Sequence, residues 1–275
     1  MRVMDTVIVE KAPQELQSAV LCAIWRECNA PISEEQVHAN AYASLNLVLQ
    51  GAVEISAARI QAPSFVTGPF TRPLVTSVRG PLRSVCLVFQ PWLLPAVFGL
   101  QPSSLTDRIH PLEAAPVCAQ AIRWLDVLRC SCPGEASFWQ RISSAVPTDS
   151  DNFVDAFALT TLRTQGLGAA ARAAGLGERQ YRRIFLHRTG LSPKTWERLQ
   201  RFDALAQGLT EGTSLSALAA SAGYADQAHM SRESKSIANH SPAKLRAGLA
   251  RHQPALWALR PAEVRFVQDR EGDVH

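Results

Sequence analysis

The feature that most constrains this chain is a segment that occurs twice. One copy runs from Leu167 to Pro193 and the other from Leu215 to Arg246. Gly175 aligns with Gly223, and Ser192-Pro193 with Ser241-Pro242. The Gly-to-Pro distance is 18 residues in the first copy and 19 in the second, a repeat with a period close to 48. In the second copy Leu215, Leu218, Ala219 and Ala222 fall at i, i+3, i+4 and i+7, the stripe of a short helix. Thr213 and Ser214 precede it as candidate N-caps. Gly223 ends it, because a left-handed backbone costs glycine little. A second helix is predicted from Asp226 to about Ile237. Two short helices around a glycine turn form a helix-turn-helix. Two copies are too few for a solenoid and fit a tandem pair of recognition modules.

In the first copy Ala170, Ala171 and Ala174 pack the scaffold helix. Tyr181, Ile184 and Phe185 turn inward from the second helix, which leaves Arg179, Arg182 and Arg183 outward near its N-terminal end. That end of a helix-turn-helix enters the major groove, where arginine pairs with guanine O6 and N7. The outward set of the second copy is Gln227, Ser231, Arg232 and Lys235. His229 lies beside them, facing either groove or scaffold. Between the copies Ser192 caps, and Pro193 opens, a helix to about Gly208 with an apolar stripe of Trp196, Leu199, Phe202, Ala206 and Leu209. Its length, roughly 24 Å, suits a connector that holds two recognition helices about 34 Å apart, one turn of B-DNA. Lys194, Arg198 and Lys244 are the candidate phosphate contacts.

Charge supports this division. From Asp155 to Arg251 there are 14 Lys/Arg against 7 Asp/Glu, a net of +7, while the remainder nets −3. A basic segment beside a mildly acidic one points to a polyanion-binding module coupled to something else. Hydrophobic content of 47% with 19% charged residues is that of a globular protein. The sequence shows neither a run of 18 apolar residues nor a recognisable signal peptide, so no membrane partner is expected. The six cysteines include no C-x-x-C and read as reduced thiols of a cytoplasmic protein, with Cys130-x-Cys132 placed at a helix end.

The first half reads as mainly β. Short runs at Val3–Val9, Ala19–Arg26, Leu45–Leu49, Val53–Ile60, Phe65–Val66, Leu74–Val78 and Arg83–Phe89 suggest a small barrel or sandwich. Gly68-Pro69, Arg72-Pro73 and Gly80-Pro81 are expected to form turns. Helices follow, one before Gly99 and one over Leu112–Cys130 with Ala115, Cys118, Ile122, Leu125 and Val127-Leu128 on one side. The fold class is therefore α+β. Residues 1–147 form a β-rich sensor, effector or dimerisation domain with a helical end, 152–250 an all-α double helix-turn-helix domain, and 251–275 a tail. His38 is the only histidine before His110, and no P-loop, G-x-S-x-G or G-x-G-x-x-G occurs. Catalytic residues, metal and cofactor are accordingly expected to be absent, and the protein not to be an enzyme. Trp25, Tyr42 and Phe89 are either pocket-lining or core.

One set of residues carries a family resemblance: Gly175, Arg183, Phe185, Gly190-Leu191-Ser192-Pro193, Arg201-Phe202, Ala219, Gly223-Tyr224-Ala225-Asp226-Gln227, Arg232 and Ser241-Pro242. Over about 95 residues the chain resembles the C-terminal domain of the AraC/XylS family of bacterial transcription regulators. The first half is similar, more weakly, to a sensor-like domain of some members. It shares Gly68-Pro69 to Pro73, Phe89-Gln90-Pro91, Phe98-Gly99-Leu100 and Leu105-Thr106-Asp107. The resemblance implies sequence-specific binding to double-stranded DNA, with RNA polymerase as a partner. It also implies an N-terminal domain that takes a small-molecule effector or forms a homodimer.

Four positions depart from the family pattern. Ser234 stands where the first copy has Phe185, Asn239-His240 replaces Gly190-Leu191, and Gly177 replaces an N-cap serine. A lost phenylalanine costs about 3–5 kcal/mol where the cavity cannot close. The second unit is therefore expected to be the weaker reader, and Ser234→Phe to strengthen it. The alternative function is a protein-interaction module that keeps the fold but has weakened or lost DNA binding.

Overall fold

The computed structural model describes residues 5–55, 62–112, 118–147, 156–209 and 212–250. Among the described residues the first half holds seven strands: β1 (Asp5–Lys11), β2 (Val20–Cys28), β3 (Ile32–Val37), β4 (Ala43–Ile55), β5 (Ser64–Thr67), β6 (Leu74–Phe89) and β7 (Ile109–Pro111). They form one antiparallel sheet in the order β1-β2-β6-β4-β5-β7. The 16-residue β6 organises it, pairing with β4 along one edge and with β2 and β3 in succession along the other.

Two expected pairs of short strands are in fact continuous. Gly80-Pro81 does not end a strand but sits inside β6, and Gly51 lies opposite within β4. Both glycines have positive φ, +70° and +83°, and the ladder shifts register between Val48, Gln50 and Ala52. A Cβ on Gly51 would lie 2.2 Å from the Pro81 carbonyl oxygen. A proline without an N–H is tolerated at such a bulge, and a glycine lets the partner strand follow it. Along β6 the buried positions pass from one face to the other, from Thr76, Val78 and Leu82 to Val85, Leu87 and Phe89. Strand β3 escaped the sequence reading, since Ser33-Glu34-Glu35-Gln36 looks like a solvated run.

Past the bulge the sheet has two different faces. On one, Trp25, Leu45, Leu87 and Phe89 pack under helices α3 (Ala119–Cys130) and α4 (Phe138–Ser144). Ring contacts Trp25–Phe138 and Phe89–Trp124 set that packing, with centroids 5.1 and 5.2 Å apart. Trp25 and Phe89 are therefore core residues. The buried face of α3 is Ala121, Trp124, Val127 and Leu128. Ile122, expected inside, is exposed, and Ala115 lies outside the described residues. Two short helices follow the sheet: α1 (Leu94–Phe98, ended by Gly99 in the left-handed region) packs against α3, and α2 (Pro102–Leu105) against the second half of the chain.

The second half is helical: α5 (Ala156–Ala173), α6 (Glu178–Thr189), α7 (Pro193–Gly208), α8 (Leu215–Ser221), α9 (Gln227–Ala238) and α10 (Pro242–Ala250). Non-helical dihedrals at Gly166 break α5 just before the first repeat begins. Most of the buried apolar residues of both halves form one continuous cluster, reaching from Ala12 just after β1 to Leu249 in α10, and Cys28, Val78 and Leu82 form a small separate one. The expected domain boundary at 147–152 and the tail at 251–275 fall largely or wholly outside the described residues.

Candidate nucleic-acid interface

The repeat read from sequence is a repeat of hydrogen bonds. After the scaffold helix of the first unit, Gly175 N–H donates to the Arg172 carbonyl and Leu176 N–H to Ala171, at 3.0 and 2.9 Å. In the second unit Gly223 donates to Ala220 and Tyr224 to Ala219, at 3.1 and 2.9 Å. Helices α6 and α9 follow, each of 12 residues. Gly177 opens α6 with no side-chain cap, whereas Asp226 opens α9 by accepting from His229 N–H. Both end on a left-handed residue, Gly190 at φ +74° and Asn239 at φ +58°. Asparagine is among the few non-glycine residues at ease there, so Asn239 keeps the geometry of the glycine it replaces.

Buried Tyr181 and Phe185 anchor α6, and buried Met230, Ser234 and Ile237 anchor α9. Opposite these, Arg179, Arg182 and Arg183 of α6 are all exposed. Arg182 is engaged by Glu178 one turn earlier, at 3.0 Å. On α9 Gln227, Arg232 and Lys235 are exposed, and Ser231 is half-buried. His229 is also half-buried, edge-on to Tyr224 and 3.7 Å from Glu233, so it belongs to the scaffold side. Leu186, which sequence reasoning passed over, is 46% exposed and occupies on α6 the position that Lys235 holds on α9. Its place on the open face is visible only once the helix register is fixed.

Helix α7 joins the units. Ser192 Oγ accepts from Thr195 N–H at its start, and Trp196, Leu199, Phe202 and Leu205 bury its stripe. Arg201 reaches from α7 to Glu233 of α9 at 3.2 Å and lies over the Tyr224 ring, 5.7 Å from its centroid. Burial and the Glu233 charge push the Tyr224 phenol up, so it stays neutral beside that pair. Arg246 of α10 donates to the Leu209 and Thr213 carbonyls at 3.1 and 2.6 Å, fixing the approach to α8, which Ser214 caps.

Two expectations are corrected. Ser234 leaves no open hole: it is fully buried, and its hydroxyl donates to the His240 carbonyl at 2.7 Å. The hydroxyl satisfies a carbonyl just past the helix end, and α9 is as long as α6. The second unit is thus packed around serine. The other correction is Arg198. Lys194 and Lys244 are exposed, but Arg198 is half-buried and its guanidinium donates to the Thr71 carbonyl of the β domain at 3.1 Å. In this arrangement it is a tie between the halves, not an open phosphate contact.

That tie belongs to a seam absent from the sequence reading. Thr106 Oγ1 donates to the Gly190 carbonyl at 2.8 Å, and Ala39 N–H to Ile237 at 2.9 Å. Gln200 donates to the Tyr42 hydroxyl at 3.1 Å, and His38 Nε2 stands 3.8 Å from Asp203 with its ring beside Phe202. A Cβ on Gly190 would lie 2.7 Å from the Pro102 carbonyl oxygen, which shows how closely α2 is set against the end of α6. Between the sheet and α7 lies a cavity of about 950 Å³. The face of the sheet turned away from α3 lines it, Cys22, Ser44, Asn46 and Cys86 included, and α7 contributes Asp203, Ala206 and Gln207. Tyr42 lines this cavity, unlike Trp25 and Phe89. Among the described residues no group of three or more His, Cys, Asp or Glu is placed to hold a metal ion, and no helix is long and apolar enough to cross a membrane.

Residues 170–248 match the family described as a helix-turn-helix domain, and residues 10–111 match a domain of unknown function (DUF6597). No curated protein matches the chain. Among solved structures the chain is similar to ToxT from Vibrio cholerae. The form with bound unsaturated fatty acid shares 9% identity over 90% of this chain and 95% of that one, with a TM-score of 0.42. A 1.65 Å form shares 7% over 90% and 98%, with a TM-score of 0.46. A complex with (E)-4-(8-methylnaphthalen-1-yl)but-3-enoic acid shares 8% over 90% and 100%, with a TM-score of 0.45.

Proposed function

We infer that this chain, whose C-terminal half is a double helix-turn-helix of the AraC type, is a sequence-specific transcription regulator that reads two successive major grooves. The observation that carries this reading is the pair of equal recognition helices, each anchored by its buried side and each presenting an exposed basic face. Arg179, Arg182 and Arg183 on α6, and Gln227, Ser231, Arg232 and Lys235 on α9, supply base readout. Arginine suits guanine, glutamine suits adenine, and Leu186 adds an apolar surface suited to a thymine methyl. Lys194 and Lys244 supply phosphate contacts that set the register on the duplex.

The protein acts by binding rather than by catalysis, and its N-terminal domain takes a small-molecule effector in the cavity beside α7. That helix is shared by the cavity and by the cores of both units, so occupancy has a short physical route to the recognition helices. RNA polymerase is the downstream partner in this reading, and a homodimer would form through the N-terminal domain. The alternative of an interaction module without DNA binding rested on a defective second unit, and buried, hydrogen-bonded Ser234 removes that reason.

Fluorescence anisotropy of the purified chain on random-sequence duplex tests the reading. Binding should weaken linearly in log Kd against log salt, as counterion release requires. No binding even at low salt would overturn it.

A further inference from the structure

We propose that the cavity between the sheet and α7 takes an uncharged, hydrogen-bonding small molecule and rejects small anions. The proposal rests on the effector reading above and adds the chemical class. Its first support is size: about 950 Å³ is ample for a metabolite-sized ligand. Its second support is the state of every ionic group in the wall. Arg26 and Glu35, at 5% and 2% exposure, form a two-pronged ion pair, and the Thr76 hydroxyl donates to the same carboxylate at 3.3 Å. The two charges cancel, so the pair adds no net charge. At the α7 end Asp203 faces the His38 ring at 3.8 Å and the Gln200 amide at 3.5 Å. Lys11, the other cation of the lining, is exposed to solvent.

An entering carboxylate, phosphate or sulfonate would therefore lose its water and find the interior basic groups already set against carboxylates, Arg26 against Glu35 and the His38 ring against Asp203. Burying an ion without a partner is strongly unfavourable. A ligand amine would have to draw Asp203 away from His38 and Gln200. A neutral molecule pays neither penalty, and the rest of the polar lining is uncharged: Ser44 bonds Thr67 at 2.7 Å and Asn46 at 2.8 Å, Tyr42 accepts from Gln200, and such hydroxyl and amide groups can each take a further hydrogen bond. Cys22 and Cys86 belong to the same neutral surface, since burial pushes both thiols up to about 12. His38 Nδ1 is buried with no hydrogen-bond partner in the protein, and it accepts or donates according to tautomer, which suits a hydroxyl or amide. The apolar part of the lining, Val48, Val53 and Leu82 included, holds the carbon skeleton.

The experiment uses three naphthalene fluorophores of similar size on the full chain: uncharged prodan, anionic 1-anilinonaphthalene-8-sulfonate and cationic dansylcadaverine. Two variants narrow the cavity from different strands, Ser84→Phe in β6 and Val48→Phe in β4, so that one stands in if the other fails to fold. Prodan is expected to bind saturably at one site with a blue-shifted emission, and to lose roughly tenfold or more of its affinity in either folded variant. Binding of the anionic dye that responds to these variants is expected to be at least about tenfold weaker than that of prodan. Tighter variant-sensitive binding of the anion or the cation overturns the proposal. So does the absence of saturable prodan binding, or prodan binding that ignores both variants. Each of these results can occur with DNA binding intact, in which case the ligand class fails alone. Loss of DNA binding with prodan behaving as expected would instead remove the regulator reading.

Discussion

At Ser234 a hydroxyl occupies the position that a phenyl ring fills in the other repeat, and the surrounding helices have closed on it. Met230 and Ile237 are buried on either side, and the hydroxyl caps the His240 carbonyl. Ser234→Phe should therefore lower stability by about 1–3 kcal/mol through overpacking, read as a fall in denaturation midpoint against the parent chain. A rise would mean that the unit does carry a vacant aromatic site. Arg183 poses the opposite kind of question, since it is exposed and has nothing to hold. Arg183→Ala should leave stability unchanged and cost about 1–3 kcal/mol at one base position. Competition between selected duplexes differing at that position checks it.

At the scale of the element, the helices were legible because each carries its own punctuation. Ser192-Pro193 opens α7, Ser214 opens α8, Asp226 opens α9, and glycine or asparagine closes each recognition helix. The sheet was less legible. Gly80-Pro81 looks like a turn in the sequence, and only its partner Gly51 reveals that two strands bend together and continue. Strand β3 was invisible because its Glu35 is buried by an ion pair with Arg26, nine residues away in sequence but on a neighbouring strand. A similar limit applies to Arg198, which has the sequence context of a phosphate contact but whose guanidinium donates to the Thr71 carbonyl. These two residues of α7 can be separated by salt dependence. Lys194→Ala should reduce the slope of log Kd against log salt by about 1, whereas Arg198→Ala should leave it unchanged. A reduced slope for Arg198→Ala would show that the seam opens when DNA binds.

For the molecule as a whole, the two halves meet along α7 and share one continuous apolar cluster. No periodicity announces such a seam, because its contacts pair residues more than 80 positions apart, as in Thr106 with Gly190 and Gln200 with Tyr42. The cavity follows from the same arrangement: one face of the sheet is spent on α3 and α4, and the other is closed by a helix from the far end of the chain. The central claim concerns how many grooves such a molecule reads. Selection of binding sites from a random duplex library with the purified full-length chain measures this directly. Two specified blocks should emerge, centred about 10–10.5 base pairs apart on one face of the duplex, and inserting about five base pairs between them should abolish tight binding. A single specified block, indifferent to the insertion, would contradict the account.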